Sequence, residues 1–239
     1  MTGLIAALDT TDVEKARAWA EQLAPHCGML KVGLEFFLSH GADGLRALGD
    51  SPIFLDLKLH DIPNTVAGGV RAVLPLAPSM LTLHASGGPA MIAAARRTAE
   101  EAGAARPTLL AVTVLTSMDE AALAAIGVTA TPEEQVKRLA RMALDAGADG
   151  LVCSAREVRM LREIAPTAVL VVPGIRPAGF PSGDQKRTMT PAEAAEAGAD
   201  WLVVGRPITA SPDPAAAAAA IAAEIAPEDG LETALDTDG

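Results

Sequence analysis

The stretches LDAGADGLVCS, residues 144–154, and AEAGADWLVVG, residues 195–205, follow the same plan. Each begins with the end of a helical pattern, continues through a glycine turn and finishes in a short apolar run. Glycine directly after a helix is a common helix end, and a short apolar run bounded by turn residues is typical of a buried strand. The repetition predicts a fold built from β-strand and α-helix units.

Eight strand candidates are spread along the chain. In order they read LIAALD, MLKVG, IFLDLKL, MLTLHA, TLLAVTVLT, GLVCS, AVLVVPGI and WLVVGR. The segments between them include four that are long enough for crossover helices, residues 12–23, 89–102, 132–146 and 191–197. Eight alternating units in 239 residues predict a single-domain α/β fold, the (β/α)8 barrel. A doubly wound open sheet is the structural alternative.

Two motifs predict where helices start, and the composition of the last residues predicts where the folded domain ends. TPEE, residues 131–134, and TPAE, residues 190–193, each supply a cap hydroxyl, a first-turn proline and a third-position glutamate. The stretch PEDGLETALDTDG at residues 227–239 is acidic and lacks periodicity. We therefore expect a barrel over residues 1–226 and a disordered tail over residues 227–239.

Composition argues against several classes of partner. The formal net charge of −11 disfavours binding to nucleic acid or to an anionic membrane surface. The N-terminus lacks the basic start and long apolar run of a signal peptide, and no apolar run is long enough to span a membrane. Cys27 and Cys153 have no metal-ligand spacing, which predicts buried thiols in a reducing compartment. We expect a cytoplasmic protein with neither nucleic acid nor membrane as partner.

The run FLDLKLHDIPNT, residues 54–65, carries charge where a barrel strand should be apolar. Because strand side chains alternate between faces, its leucines are predicted to face the helices while Asp56 and Lys58 enter the barrel mouth. The same alternation presents Lys31, and Asp9 lies at the exit of the first strand. Burying unpaired charge is costly, so four charges on three successive strand ends predict a functional site.

The charge pattern also bears on metal binding. Asp9, Asp56 and Asp61 could assemble a cation site in space. Lys31 and Lys58 among them would repel a divalent cation. We therefore predict a site without metal.

A second group of polar residues occurs late in the chain. Arg176 follows the seventh strand candidate, and Gly205 and Arg206 follow the eighth. Loops seven and eight form the usual phosphate site of this fold. Glycine lets the backbone approach a phosphate closely, and arginine can bind it with two hydrogen bonds. The sequence thus predicts a phosphate site, with residues 176–187, rich in Gly and Pro, as a candidate lid.

These motifs together resemble the orotidine 5′-phosphate decarboxylase family. The resemblance covers the chain up to about residue 226, with FLDLKLHDIPNT as the signature segment. The other matching motifs are AALD, KVGLEFF, LTLHASGG, AVTVLTS, VVPGIRP, the glutamine of GDQKR, and VVGRPIT. The resemblance implies a (β/α)8 barrel that converts orotidine 5′-monophosphate to UMP in pyrimidine biosynthesis, with no metal and no organic cofactor.

The resemblance also implies roles for individual residues. Lys58 would be the acid that protonates C6, Asp56 would face the substrate carboxylate, and Lys31 and Asp61 would complete an alternating charged network. The remaining positions would bind substrate. Asp9 and Lys31 would hold the ribose hydroxyls, and Thr116 and Ser117 would lie near the pyrimidine. Pro173 would form part of the pocket wall. The phosphate would be bound by Arg176, Gln185, Gly205 and Arg206.

A shared site between two subunits is a further implication of the resemblance. Asp61, Ile62 and Thr65 would reach into the partner subunit's site. The family would then be a homodimer whose sites are completed across the interface. The substrate would be a small-molecule nucleotide.

Two other functions stay open at this point. One is a magnesium-dependent enzyme of the same superfamily, a 3-keto-L-gulonate 6-phosphate decarboxylase or hexulose-phosphate synthase, which shares the Asp-x-Lys-x-x-Asp pattern. Those enzymes typically carry a glutamate where this sequence has Lys31. The other is a non-catalytic barrel that only binds phosphorylated ligands, and the intact Asp56, Lys58 and Asp61 argue against it.

Overall fold

The computed structural model describes residues 2–178, 180 and 189–226. Its parallel strands pair in sequence order, and the last pairs with the first, so the sheet closes into a barrel. The strands are β1 Gly3–Ala7, β2 Met29–Val32, β3 Ile53–Leu59, β4 Met80–His84, β5 Thr108–Val112, β6 Gly150–Val152, β7 Val169–Val172 and β8 Trp201–Val204. The predicted (β/α)8 barrel is confirmed, and the open-sheet alternative is wrong.

Helices connect the strands along the outside of the barrel. They are α1 Val13–Leu23, α2 Leu34–Ala47, α3 Pro63–Val73, α4 Pro89–Ala99, α5 Glu120–Ala125, α6 Pro132–Asp145, α7 Val158–Ile164, α8 Pro191–Glu196, α9 Arg206–Thr209 and α10 Pro214–Glu224. Both predicted capping boxes are present, at Thr131 and Thr190. The prediction for residues 89–102 ran too far, because α4 changes into a 3-10 helix at Glu100–Ala105.

Two apolar clusters lie on the two faces of the barrel sheet. A small cluster inside the barrel contains Ile5, Ala7, Met29, Phe54, Met80, Leu110, Val171 and Val203. The alternate strand residues join the larger cluster between the sheet and the helices, as Leu4 and Ala6 do on β1. Side chains that follow the inner cluster along a strand therefore point into the C-terminal mouth, as Asp56 does after Phe54.

The repeated aspartate of the two similar segments ties neighbouring strands together at their starts. Asp149, just before β6, accepts a hydrogen bond of 2.8 Å from the N–H of Leu109 in β5. Asp200, just before β8, accepts one of 2.7 Å from the N–H of Leu170 in β7. Each carboxylate also forms an ion pair with a nearby arginine. The repetition seen in the sequence thus reflects a repeated anchor, at the end of the barrel opposite the mouth.

The structure describes the chain up to Ala226, two residues beyond α10. The predicted tail, residues 227–239, lies outside the described residues, so its disorder stays a prediction. Among the residues that the structure describes, no helix is both long and apolar enough to cross a membrane.

Candidate active site

The strand that carries the charges, β3, has an irregular backbone. Lys58 has a φ of 50°, in the left-handed region that residues other than glycine rarely adopt. The pairing with β4 also shifts between Leu55 and Leu59. These two residues are four positions apart on β3, whereas their partners, Leu81 and Leu83, are two apart on β4. The regular strand predicted for this run is therefore wrong at Lys58, where β3 forms a bulge.

The side chains of β3 nevertheless point to the predicted sides of the sheet. Leu55 is fully buried, and Leu57 and Leu59 pack against the cluster between sheet and helices. Asp56 and Lys58 line a cavity at the C-terminal mouth of the barrel. The charges are thus separated from the leucines, as the sequence predicted.

Charged groups from the first three strands form a continuous chain of ion pairs. The Nζ of Lys58 lies 2.7 Å from Oδ2 of Asp56. The Nζ of Lys31 lies 3.9 Å from the same oxygen and 3.1 Å from Oδ1 of Asp9. The side chains of Lys31 and Asp56 are each only 12% exposed, so these charges interact more strongly than they would in water. The structure therefore brings together Asp9, Lys31, Asp56 and Lys58.

Asp56 is held in its ionised form by this arrangement. Burial alone would raise the pKa of Asp56. The positive charges of Lys31 and Lys58, with hydrogen bonds from Lys58 and Thr82, outweigh burial and lower the pKa below its usual value. Asp56 is consequently negative at neutral pH, and a second anion beside it would be repelled.

Two cavities meet at the mouth of the barrel. They share the wall residues Lys31, Pro173 and Val203. The rest of the first cavity is lined by Phe54, Asp56, Lys58, Val112, Val114, Leu115, Thr116, Val152 and Cys153. The rest of the second is lined by Ala7, Asp9, Gly174, Arg176, Gly205 and Arg206. A ligand that spans both cavities would meet Asp56 and Lys58 at one end and two arginines at the other.

The second cavity contains most of the residues predicted to bind phosphate. Arg176 is only 9% exposed, and its Nη1 donates a 2.8 Å hydrogen bond to the carbonyl of Ile175. Arg206 is exposed in the first turn of α9, directly after Gly205. Gln185 lies outside the described residues, as does most of the candidate lid at residues 176–187. Two guanidinium groups in one cavity can bind a dianion through several charge-assisted hydrogen bonds.

Four predicted site residues lie apart from the chain of ion pairs. Asp61, Ile62 and Thr65 are exposed at the start of α3, where Asp61 accepts a 2.6 Å hydrogen bond from the N–H of Ile62. Ser117 is exposed in the turn after β5, whereas its neighbour Thr116 lines the first cavity. Within the described part of a single chain, Asp61 does not join the charged network.

Thr82 of β4 belongs to the site but was not predicted from the sequence. Its side chain is fully buried, and its hydroxyl donates a 2.9 Å hydrogen bond to Oδ1 of Asp56. The same hydroxyl accepts a 2.8 Å hydrogen bond from the backbone N–H of Lys58. The available signal was a polar residue between Leu81 and Leu83, on the strand next to the charged one.

Two histidines contact each other beside the mouth. The ring of His84, half-buried at the end of β4, lies 5.3 Å from the ring of His60, centroid to centroid. Burial, followed by the charges of His60 and Lys58, lowers the pKa of His84, while Asp56 acts in the opposite direction. The His84 imidazole is therefore neutral at pH 7.

The fold and the site define a class of protein, a (β/α)8 barrel with alternating lysines and aspartates at its mouth and a basic cavity beside them. The sequence model of the orotidine 5′-phosphate decarboxylase / HUMPS family matches residues 2–221. The chain belongs to this family.

Individual proteins are similar to this chain over nearly their whole length. The orotidine 5′-phosphate decarboxylase of Gluconobacter oxydans is 56% identical over 230 residues, covering 94% of this chain and 98% of that protein. The protein of the same name from Thermobifida fusca is 53% identical over 223 residues, covering 92% and 94%. The crystal structure of orotidine 5′-phosphate decarboxylase from Lactobacillus acidophilus superposes with a TM-score of 0.84 at 40% identity, covering 95% of this chain and all of that one. The resemblance predicted from the motifs is confirmed.

Proposed function

We propose that this chain decarboxylates orotidine 5′-monophosphate to UMP and CO2, the last step of de novo pyrimidine nucleotide synthesis. The proposal is carried by one observation, the Nζ of Lys58 held 2.7 Å from Oδ2 of Asp56 at the wall of a cavity. The names of relatives that are more than half identical support the same reaction. The reaction needs both an ammonium proton donor and a negative charge close to one carbon atom.

Lys58 supplies the proton and the stabilising positive charge. When the bond between C6 and the carboxylate breaks, its electron pair stays on C6, and CO2 leaves. The ammonium group of Lys58 stabilises that developing negative charge electrostatically and then transfers a proton to C6. The neutral amine regains a proton from solvent. Only the ammonium form of Lys58 is competent for this reaction.

Asp56 favours the loss of the substrate carboxylate. Its own carboxylate is largely buried and is ionised within the chain of ion pairs. A substrate carboxylate bound beside it is repelled, and the repulsion disappears as neutral CO2 departs. Asp56 also keeps the Nζ of Lys58 in place through their 2.7 Å contact. The apolar side chains of the first cavity suit a leaving group without charge.

The second cavity would hold the substrate phosphate. Arg176, Gly205 and Arg206 lie together in its wall, and we assign Gln185 to the same phosphate by resemblance. Binding energy gained at a remote phosphate can drive loop closure and desolvation at the reacting carbon. We propose residues 176–187 as the segment that closes.

The ribose and the pyrimidine ring would lie between the proposed positions of the substrate carboxylate and the substrate phosphate. Asp9 and Lys31, joined by a 3.1 Å ion pair, would bind the ribose hydroxyls. Thr116 would lie near the pyrimidine, and Ser117 would join it there. Pro173 is shared by the two cavities, which suits a wall that contacts the middle of the substrate.

We further propose a homodimer whose sites are completed across the interface. Large apolar side chains are exposed near the mouth, with Leu34 47%, Leu38 78% and Ile62 67% exposed. Asp61 and Thr65 are exposed beside Ile62. Burying such side chains is the usual driving force for association. In the dimer, Asp61, Ile62 and Thr65 would enter the partner subunit's site.

Mixed dimers test whether the sites are shared. Asp61→Ala and Lys58→Ala subunits are each expected to be inactive alone, and heterodimers should regain one complete site. Confirmed heterodimers without activity would contradict a shared site. A chain that stays monomeric in light scattering while fully active would contradict the dimer altogether.

The reaction is proposed to need no metal. The Oδ2 of Asp56 contacts one ammonium group at 2.7 Å and another at 3.9 Å, and its Oδ1 accepts from the Thr82 hydroxyl at 2.9 Å. A divalent cation at this carboxylate would have to displace an ammonium group and lie beside a second one. This charge arrangement favours decarboxylation of the nucleotide over the magnesium-dependent sugar-phosphate reactions of the superfamily.

One assay separates the candidate functions. Purified protein is incubated with orotidine 5′-monophosphate and a chelator, and the loss of substrate ultraviolet absorbance is followed. Turnover that Lys58→Ala abolishes is expected, with Lys137→Ala, a change in the exposed ion pair to Glu133 on α6, as the control. Absence of turnover would overturn the proposal. Activity only with sugar phosphates and magnesium would favour a magnesium-dependent enzyme of the same superfamily. Binding of phosphorylated ligands without turnover would favour a non-catalytic barrel.

The cytoplasm is the predicted compartment of this activity. De novo nucleotide synthesis uses soluble phosphorylated intermediates, which do not cross membranes readily because they are charged. Cell fractionation with an antibody against the chain would test the location, since a signal in the membrane or exported fraction would contradict it.

A further inference from the structure

We propose that Thr82 is a positioning residue for the decarboxylation, because its hydroxyl holds both the backbone bulge at Lys58 and the carboxylate of Asp56. The inference rests on the proposed function. Thr82 lines neither of the two cavities described above, so its effect must pass through Lys58 and Asp56.

The bulge explains why a hydroxyl is needed at this position. Leu55 pairs with Leu81 and Leu59 with Leu83, so the three residues between the leucines of β3 lie opposite Thr82 alone. Extra residues in a bulged strand lose their normal partners in the hydrogen-bond ladder. A buried backbone N–H without a partner is unfavourable. The Thr82 hydroxyl supplies that partner, accepting from the N–H of Lys58 at 2.8 Å.

The direction of both hydrogen bonds is fixed by their chemistry. The backbone N–H of Lys58 can only donate, and an ionised carboxylate can only accept. The one hydroxyl proton of Thr82 therefore points at Oδ1 of Asp56, 2.9 Å away. A single side chain on β4 thus links the backbone of the proton donor to the carboxylate that orients its ammonium group.

The backbone of Lys58 requires such support. Its φ of 50° is unfavourable for a residue with a Cβ, and strained conformations persist only where neighbouring groups enforce them. Without the hydroxyl, Lys58 would relax toward an ordinary strand conformation, and its Nζ would move away from its position beside Asp56. Displacing a reacting group by about 1 Å can cost about 10²-fold in rate.

Three variants separate the hydroxyl from the shape of the side chain. Thr82→Val keeps the shape and removes both hydrogen bonds, Thr82→Ser keeps the hydroxyl, and Thr98→Val changes another buried threonine, on α4. We expect Thr82→Val to lower kcat by about 10²-fold with little change in KM, since the phosphate contacts are intact. Thr82→Ser should stay within about tenfold of the wild type, and Thr98→Val should match it. Should the valine variant not fold, Thr82→Ala removes the same hydrogen bonds.

A pH profile and a crystal structure complete the test. Loss of the Thr82 hydrogen bond removes one of the interactions that lower the pKa of Asp56, so the acid limb of kcat should move to higher pH in Thr82→Val. The crystal structure of that variant should show Lys58 with negative φ. Wild-type kcat in Thr82→Val, or equal losses in the valine and serine variants, would overturn the inference. If the wild type shows no turnover, the proposed function fails, and the φ of Lys58 in Thr82→Val still decides the role of Thr82.

Discussion

The ammonium group of Lys31 lies 3.9 Å from Oδ2 of Asp56, across the boundary between β2 and β3. The same group lies 3.1 Å from Oδ1 of Asp9, so Lys31 is shared between two carboxylates, whereas the ion pair of Lys58 is with Asp56. Lys31 therefore does more than neutralise a charge. It links Asp56 to Asp9, the residue that we propose binds the ribose.

Replacing Lys31 by alanine should reduce catalysis strongly. Two carboxylates would be left with one cation between them, and Asp56 would lose a positive charge that lowers its pKa. We expect kcat/KM to fall by about 10²-fold or more, as when one preorganised electrostatic group is removed from an active site. Steady-state kinetics measure the change, with Lys137→Ala as the surface control. A Lys31→Ala enzyme within threefold of the wild type would show that Lys58 alone maintains the site.

Gly33, directly after β2, limits the space around Lys31. A Cβ at this position would lie 3.2 Å from Nζ of Lys31 and 3.5 Å from Oδ1 of Asp9. Because Nζ ends a flexible side chain, Gly33→Ala should displace the ammonium group and leave the melting temperature nearly unchanged. We expect kcat/KM to fall by about tenfold through misplacement.

The control for this substitution is Gly68→Ala on α3. A Cβ at Gly68 meets no heavy atom within 4 Å, and alanine is a better helix former than glycine. Activity should stay at the wild-type level. Equal kinetic losses in both alanine variants would mean that Gly33 has no special relation to Lys31.

Arg206→Ala should lower kcat/KM for the nucleotide, orotidine 5′-monophosphate, but not for the nucleoside, orotidine. The substitution would remove the phosphate contact that we propose for Arg206, so kcat/KM for orotidine 5′-monophosphate is expected to fall by about 10²-fold. Orotidine lacks the phosphate, so the kcat/KM for orotidine should be the same in Arg206→Ala and in the wild type. The comparison needs both substrates with each enzyme, and Arg46→Ala, on the exposed pair with Asp43, as the control. An equal fall in kcat/KM for the two substrates would show that Arg206 supports the structure and does not bind the phosphate.

The fold and the charged cluster were predictable from the sequence because their signals are local. Glycine turns, apolar runs and capping boxes each span a few residues, and they identified the eight strands that close the barrel. The alternation along β3 separated Asp56 from the leucines beside it. The predicted fifth strand ran to Thr116, but β5 ends at Val112. The chain leaves the sheet there, and this lets Thr116 line the cavity.

Features that depend on distant partners were not predictable from local pattern. The left-handed backbone of Lys58 depends on a hydroxyl 24 residues away in the sequence, that of Thr82. The exposure of Asp61 and Ile62 within one chain has no local signal in the sequence, and only the family resemblance, which places these residues in a partner subunit's site, accounts for it. For Lys58 the decisive contact lies in another strand, and for Asp61 and Ile62 we propose that it lies in a second subunit.

The anchor at Asp149 links stability to pH. Burial would raise the pKa of Asp149, but the hydrogen bonds from Arg106 and from the N–H of Leu109, with the charges of Arg106 and Arg96, lower it below its usual value. A carboxyl whose pKa is lower in the folded than in the unfolded state binds protons more weakly when folded. Its contribution to stability is complete above the unfolded pKa of about 4 and is lost as pH falls through the folded value.

Asp149→Asn should therefore destabilise the barrel at neutral pH and much less in acid. Asparagine can still accept from the N–H of Leu109, but it leaves Arg106 without its carboxylate and Arg96 with Glu100 alone. The expected loss at pH 7 is about 2 kcal/mol. Urea unfolding from pH 7 down to pH 3 measures the difference in unfolding free energy from the wild type. That difference should be constant down to about pH 5 and shrink below about pH 4, where the unfolded chain binds a proton at Asp149 more readily than the folded chain does. The control is Asp43→Asn, which changes an exposed carboxylate and should have nearly the unfolding free energy of the wild type at every pH. If the difference in unfolding free energy for Asp149→Asn persisted unchanged to pH 3, the charge of Asp149 would not stabilise the anchor.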